Sequence, residues 1–90
     1  MEFIHEGKAF KHYNAAGEMD AEITYIPKGE GVIDANHTFV DPSLRGQGVA
    51  RQLVDKLADF ARDENLKIHA TCPYVVALFE KSTEYNDVKI

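Results

Sequence analysis

Apolar and polar positions along the first forty residues predict four strands. A short extended start covers residues 2–5, and a second strand covers residues 8–13. Residues 19–26 alternate between apolar and polar side chains, as in a strand with one buried face, and residues 32–40 are rich in β-branched and aromatic side chains. The connecting segments are short and contain glycine, which favours antiparallel hairpins.

The hydrophobic period changes after the loop at residues 41–48. From Val49 onward, over sixteen residues, the apolar side chains fall on one face at helical spacing, and Asn65 marks the predicted end of this helix. Residues 66–71 predict a short strand, and Pro73 suits the first turn of a second helix. The tail after that helix has no clear period, and its interpretation as a last extended segment stays open.

A strand, a long helix and a second strand in succession indicate a β-α-β crossover, in which the strands around residues 36 and 68 are parallel neighbours. The sheet is then mixed, with antiparallel hairpins first and one parallel pair last. The sequence therefore predicts an α+β fold: a mixed, mostly antiparallel sheet, a long helix that covers one face, and a second helix near the C-terminus.

Length and composition narrow the classes of protein to which the chain can belong. Its 90 residues allow one domain, residues 1–90, and a hydrophobic content of 44% excludes a disordered chain. Ten Lys and Arg against fifteen Asp and Glu give a net charge of −5, so we expect no nucleic-acid partner. No run approaches the roughly 18 apolar residues of a membrane helix. Residues 1–6 lack the layout of a signal peptide, and we expect a cytoplasmic protein without a membrane partner.

Cys72 is the only cysteine in the sequence, so an internal disulfide and a zinc site built from thiolates are both excluded. The four histidines form no metal-binding motif such as His-Glu-x-x-His, and we predict no metal. An anion bound by this acidic chain must be held locally, because the overall field opposes it.

The strongest motif is a glycine loop that joins the fourth predicted strand to the long helix, with the sequence Arg45-Gly46-Gln47-Gly48-Val49-Ala50. Its two glycines let the backbone turn tightly and let a ligand approach closely. The first N–H groups of the helix lack internal partners and lie at the positive end of its dipole, which suits a pyrophosphate; a plain turn is the alternative. A P-loop is excluded because no Lys-Ser or Lys-Thr follows, and a dinucleotide fingerprint because Arg51 stands where a third glycine or alanine is needed.

In this loop the chain resembles the GNAT acetyltransferase superfamily, whose coenzyme A loop has the pattern Arg/Gln-x-x-Gly-x-Gly/Ala. The preceding residues, Val40-Asp41-Pro42-Ser43-Leu44, resemble the strand exit that comes before that loop in the superfamily. The order of the predicted elements agrees as well, and the resemblance covers residues 22–79. It implies a GNAT-like fold.

The resemblance is narrower to minimal single-domain GNAT-like N-acetyltransferases of about this length. These proteins carry a His-Thr pair before the loop, here His37-Thr38, and a cysteine in the turn after the next strand, here Cys72. Larger members of the superfamily insert helices after the first strand, and those helices help to shape the acceptor site. Residues 15–17 predict only a turn at that point, so the acceptor is the least predictable part of the function.

The resemblance implies that the chain binds acetyl-coenzyme A. Backbone N–H groups of residues 47–51 are then expected to hold the pyrophosphate, with Arg45 and Arg51 as cationic partners. An ion pair of Arg51 with Asp55, one helical turn away, is an alternative for that side chain. The pantetheine arm is expected to extend the sheet along Phe39 and Val40. The predicted cofactor-binding residues are Phe39, Val40, Arg45, Gly46, Gln47, Gly48, Val49, Ala50 and Arg51.

Cys72 and His37 are the candidate catalytic residues. A cysteine at a helix N-terminus has its thiolate favoured by the dipole, so Cys72 can act as an acid, a base or a nucleophile; a small buried apolar group is the alternative. His37 lies on the strand next to that of Cys72, and histidine is a residue type suited to moving protons. Its position along the strand groups it with Ile33, Ala35 and Phe39, so a core histidine is the alternative for this residue.

Three functions remain open at the level of the sequence. The first is an acetyl-coenzyme A-dependent N-acetyltransferase acting on an amine, either a small molecule or a protein lysine. The second is a coenzyme A-binding module or sensor with little or no catalysis, which the missing acceptor helices favour. The third is a purely structural or partner-binding domain, against which the intact glycine loop argues. The net charge of −5 favours cationic acceptors through steering, and no pattern indicates the oligomeric state.

Overall fold

A computed structural model describes all 90 residues of the chain. Its elements are β1 (Ile4–Glu6), β2 (Ala9–Tyr13), β3 (Met19–Gly29), β4 (Val32–Val40), a 3-10 turn (Pro42–Leu44), α1 (Val49–Asp63), β5 (Lys67–Ala70) and α2 (Pro73–Lys81). The strands form one sheet in the order β1-β2-β3-β4-β5, and the first three pairings are antiparallel. β4 and β5 are parallel on either side of α1, so the predicted β-α-β crossover and α+β class are confirmed.

The parallel pairing of β4 with β5 is short. It joins residues 32–35 to residues 67–70, whereas β4 continues to Val40. At its end the carbonyl of Ala35 accepts hydrogen bonds from the N–H groups of both Thr71 and Cys72, at 3.1 and 3.0 Å. The chain then turns into α2, and the second half of β4 has no neighbour on this side. We call this divergence of the two strands the fork.

A β-bulge at Asn36 changes which residues of β4 face the helices. Tyr25 pairs with Ala35 but Thr24 pairs with His37, so Asn36 is the extra residue on β4. One extra residue reverses the alternation of side chains beyond it. The face that Ala35 occupies therefore continues through Thr38 and Val40, and the predicted grouping of His37 with the core positions is wrong.

One hydrophobic cluster joins the sheet to both helices. The face of α1 that packs on the sheet is fully apolar and consists of Val49, Leu53, Val54, Leu57, Ala58 and Ala61. The strands contribute large side chains such as Ile23 and Ile68, and α2 contributes Leu78 and Phe79. Burial of each large apolar side chain stabilises the fold by about 1.5–3 kcal/mol, so this packing fixes the position of the first turn of α1.

The helix α1 ends where the sequence predicts. Asn65 adopts the left-handed conformation, with φ of 58°. The N–H of Leu66 donates to the carbonyl of Ala61 at 2.7 Å, and the N–H of Asn65 donates to that of Arg62 at 3.3 Å. These two bonds form a Schellman motif, which satisfies the last carbonyls of the helix.

The tail after α2 lies against β5 and α1. Ile68 donates its N–H to the carbonyl of Val88 at 2.7 Å and accepts a hydrogen bond from the N–H of Ile90 at 3.1 Å, so the last residues are extended along β5. Arg62 of α1 donates its Nε to Asp87 Oδ2 at 2.7 Å. Tyr85 is 2% exposed and belongs to the core. Neither helix has the length and apolar character that crossing a membrane requires.

Candidate active site

A cleft of about 380 Å³ lies beside the fork, at the N-terminal end of α1. It is lined by residues of β4, the glycine loop and the first turns of both helices: Thr38, Val40, Leu44, Arg45, Gly46, Gly48, Val49, Ala50, Arg51 and Tyr74. Its volume falls in the range of small-molecule sites. The structure thus brings most of the predicted loop residues together around one open space.

The glycine loop depends on backbone conformations that other residues adopt only with strain. Gly46 and Gly48 have φ of 83° and 73°, both in the left-handed region. The preceding turn is held by Asp41, whose Oδ2 accepts from the N–H of Ser43 at 2.9 Å and from its hydroxyl at 2.6 Å. These hydrogen bonds from Ser43 lower the pKa of Asp41, so the carboxylate keeps its charge and the turn stays closed.

Consecutive backbone N–H groups along the loop and the start of α1 have no acceptor in the protein. The first bond of the helix runs from the N–H of Gln52 to the carbonyl of Gly48 at 3.1 Å, and no side chain caps this end. The N–H groups of residues 46–51 are therefore free, as expected for the donors that precede the first helical bond. Together with the positive end of the helix dipole, they make a site for an anion such as phosphate.

Two arginines lie beside these N–H groups. Arg45 is exposed and forms no ion pair. Arg51 Nε lies 3.7 Å from Asp55 Oδ1, in agreement with the alternative prediction of an ion pair between these residues. The hydrogen bonds of Arg51, however, go to residues of the tail after α2. Its Nε donates to the hydroxyl of Tyr85 at 2.6 Å, and its Nη2 donates to Glu84 Oε2 at 2.5 Å. Both cationic side chains are thus at the cleft, and only Arg51 is engaged.

The free edge of β4 leads from the glycine loop to the fork. The N–H of Asp41 donates to the carbonyl of Asp20 on β3 at 2.8 Å. Because bonding direction alternates along an antiparallel strand, the backbone groups of Thr38 and Val40 point away from β3, to the side that β5 has left. Phe39, which pairs with Glu22 on the other face of the sheet, does not line the cleft. A ligand that extends the sheet here therefore meets Thr38 and Val40.

Cys72 lies at the fork, where it is the N-cap residue of α2. It is 6% exposed, and its Sγ lies 3.4 Å from the hydroxyl oxygen of Thr38. Burial, the largest influence, raises the pKa of the thiol, but the Thr38 hydroxyl and the nearby backbone N–H groups of Val75 and Tyr74 outweigh it. The net pKa of Cys72 is lowered, so more of the reactive thiolate forms near neutral pH.

The structure does not pair His37 with Cys72. His37 is exposed, and its Nε2 lies 3.9 Å from Glu22 Oε1 on the face of the sheet opposite Thr38. The bulge at Asn36 is the reason, since it places Thr38 rather than His37 next to the thiol. The alternative of a core histidine is wrong for the same reason.

Two tyrosines near the cleft were not predicted from the sequence. Tyr74 lines the cleft in the first turn of α2 and is 40% exposed. Burial raises the pKa of its hydroxyl, which therefore stays protonated and able to donate. The sequence does contain a signal for Tyr74. It lies two residues after Cys72, and the residues in the first turn of a helix lie around the N-cap residue. Tyr85 lies in the tail after α2, where apolar and polar residues follow no clear period. No local pattern there indicates that Tyr85 holds Arg51.

Comparison with known proteins places these features in a family. A family profile described as GCN5-related N-acetyl-transferase matches residues 9–88. Protein NATD1 of Homo sapiens is 38% identical over 55 residues, which are 61% of this chain and 49% of that protein. The chain spans about half the length of the curated relatives it matches.

Solved structures share the fold. A GCN5-like protein of Staphylococcus aureus, solved by NMR, has a TM-score of 0.84 at 34% sequence identity, covering 99% of this chain and 87% of that chain. Nourseothricin acetyltransferase has a TM-score of 0.61 at 22% identity, covering 80% of this chain and 46% of that chain, which shows the fold alone. The predicted GNAT-like fold is confirmed. With the profile spanning β2 to β5, the glycine loop and both helices, the chain belongs to the GCN5-related N-acetyltransferase family.

Proposed function

We propose that the protein is an acetyl-coenzyme A-dependent N-acetyltransferase that acts on an amine. The observation that carries the proposal is the continuity of unpaired backbone groups, from the free N–H groups of residues 46–51 along the free edge of β4 to Cys72. A ligand with an anionic end, an amide-bearing arm and a reactive thioester matches this order of groups. Membership of the family supports the same assignment.

The anionic end of the ligand is assigned to the glycine loop. The N–H groups of residues 46–51 are the donors for the pyrophosphate, since no protein acceptor competes for them. Arg45 and Arg51 add charge-assisted contacts at the same end of the cleft. These local donors oppose the net charge of −5, which disfavours an anion at long range.

The pantetheine arm is assigned to the free edge of β4. Its amides can pair with the backbone groups of Thr38 and Val40, as an added strand pairs with the edge of a sheet. Phe39 is the sequence-based candidate next to Val40, but its side chain lies on the far face and its backbone groups point toward β3, so it is assigned no direct contact with the arm. With the pyrophosphate at the glycine loop and the arm along β4, the thioester at the far end of the arm lies at the fork.

The chemistry is assigned to the fork. The attacking amine must be neutral, and the departing coenzyme A thiolate takes up a proton as the carbon–sulfur bond breaks and the amide bond forms. The thiol of Cys72 and the phenolic hydroxyl of Tyr74 are titratable groups at this end of the site. Of the two, Cys72 is the preferred candidate for proton transfer, because its polar neighbours lower the pKa of its thiol. His37 is assigned no catalytic role.

A coenzyme A-binding module with little catalysis is the second candidate. It is favoured by the burial of Cys72, which is only 6% exposed and has no histidine partner. Both candidates require the glycine loop, and only the first requires turnover.

Replacing Gly48 tests the binding assignment. Gly48→Ala is expected to weaken coenzyme A binding by at least about tenfold, because the added methyl group strains a left-handed residue and enters the open cleft. The measurement is isothermal titration calorimetry with coenzyme A. Gly31→Ala is the matched control, since Gly31 has φ of 70° and a similarly open Cβ position in the β3–β4 hairpin. Equal affinities of the two variants would contradict the assignment.

Turnover is tested by measuring the release of coenzyme A when the protein is incubated with acetyl-coenzyme A and a panel of amines and lysine peptides. Cys72→Ala is expected to lower kcat by about 10²-fold, the lower end for loss of a general acid or base, with coenzyme A affinity retained. His37→Ala is expected to keep normal turnover, because His37 faces the other side of the sheet. Normal turnover by Cys72→Ala would remove Cys72 from the chemistry, and no turnover by the unmodified chain with any acceptor would favour the binding module.

The pH profile of Cys72 alkylation tests the local hydrogen bonds. A lowered pKa makes the thiolate the major form at lower pH, so the alkylation rate is expected to rise through a midpoint below that of an unperturbed cysteine. Thr38→Val is expected to move this midpoint upward, since burial is then less opposed. Thr24→Val, on the opposite face, is the control and should leave it unchanged. An unchanged midpoint in Thr38→Val would show that Thr38 does not stabilise the thiolate.

A further inference from the structure

The tail after α2 holds the one engaged cation of the cleft. Arg51 lines the cleft, yet its Nε donates to the hydroxyl of Tyr85 and its Nη2 donates to Glu84 Oε2. The guanidinium carbon also lies 5.4 Å from the centroid of the Tyr85 ring. Arg51 Nη1 has no partner in the protein. The cation is therefore shared between the tail and the open space of the cleft.

The two tail residues hold Arg51 in different ways. Tyr85 is a fixed anchor, because it is 2% exposed, its hydroxyl donates to Asp55, and its ring lies 5.2 Å from that of Phe79. The Glu84 side chain is 70% exposed, and its carboxylate has Arg51 as its only partner. The Glu84 carbonyl is held by Arg62 Nη2 at 3.1 Å, so its carboxylate can turn away while the backbone stays in place.

An anionic ligand at the start of α1 competes with Glu84 for the same guanidinium. Phosphate and carboxylate both accept from arginine in charge-assisted pairs. While Glu84 is paired, its single negative charge offsets the positive charge of Arg51. A phosphate that approaches the free N–H groups of residues 46–51 therefore gains the full attraction of Arg51 only when the carboxylate turns away.

Resting on the proposed function, we infer that Glu84 sets the affinity for coenzyme A by occupying Arg51, and that Tyr85 is the positioning residue that keeps Arg51 at the cleft. Glu84 lowers affinity through competition, and Tyr85 raises it through orientation. The tail thus tunes a site to which it contributes no lining residue.

Calorimetry with coenzyme A as the probe separates these roles. E84Q is expected to tighten binding roughly two- to fivefold, the range for one exposed ion pair. E80Q is the matched control: it removes the same charge from an exposed residue of α2 that forms no ion pair, and it should leave the affinity unchanged. Y85F keeps the ring but loses the hydroxyl that holds Arg51 Nε, and it is expected to weaken binding.

A double-mutant cycle makes the test specific to the pair. In an R51Q background, E84Q is expected to have no effect, because the cation for which it competes is gone. Equal affinity of E84Q and E80Q, or an E84Q effect that persists with R51Q, would overturn the inference while leaving the proposed function intact. Absence of coenzyme A binding by the unmodified chain and by every variant would overturn the proposed function and the inference together.

Discussion

The arrangement of the site depends on one constraint, the early end of the parallel pairing between β4 and β5. The carbonyl of Ala35 accepts the N–H groups of both Thr71 and Cys72, so β5 stops there while β4 continues. This one branching point exposes the free edge of β4, opens the cleft, and makes Cys72 the N-cap of α2. The hydrophobic face of α1 then fixes the glycine loop at the far end of the same edge.

The electrostatics of the site are local. The chain carries a net charge of −5, but the free N–H groups of residues 46–51, the helix dipole and two arginines converge on one end of the cleft. At physiological salt, charges more than a Debye length of about 8 Å from the cleft are largely screened, so these fixed donors act on an anion at short range. Glu84 is the exception, since it brings an opposing charge to Arg51. The affinity for an anion is then a balance between the loop and the tail.

Patterns that act over a few residues, and the order of elements that they imply, were predictable from the sequence, whereas individual side-chain positions that depend on distant partners were not. The helix end at Asn65, the glycine loop and the parallel crossover follow from local period and backbone preference, and the structure has all three. The side on which His37 lies depends on a bulge that arises only when β4 pairs with β3. Burial of Tyr85 depends on contacts with a helix some thirty residues earlier, so a tail without a period gave no indication of it.

We propose that coenzyme A binds along the line from the glycine loop to the fork. Two-dimensional amide NMR of the ¹⁵N-labelled protein, titrated with coenzyme A, tests it most directly, because the groups proposed to bind are themselves backbone N–H groups. We expect the largest shifts at residues 46–51, Thr38 and Val40, with little change at His37 and along β1. Largest shifts on the opposite face of the sheet, with residues 46–51 unmoved, would contradict it.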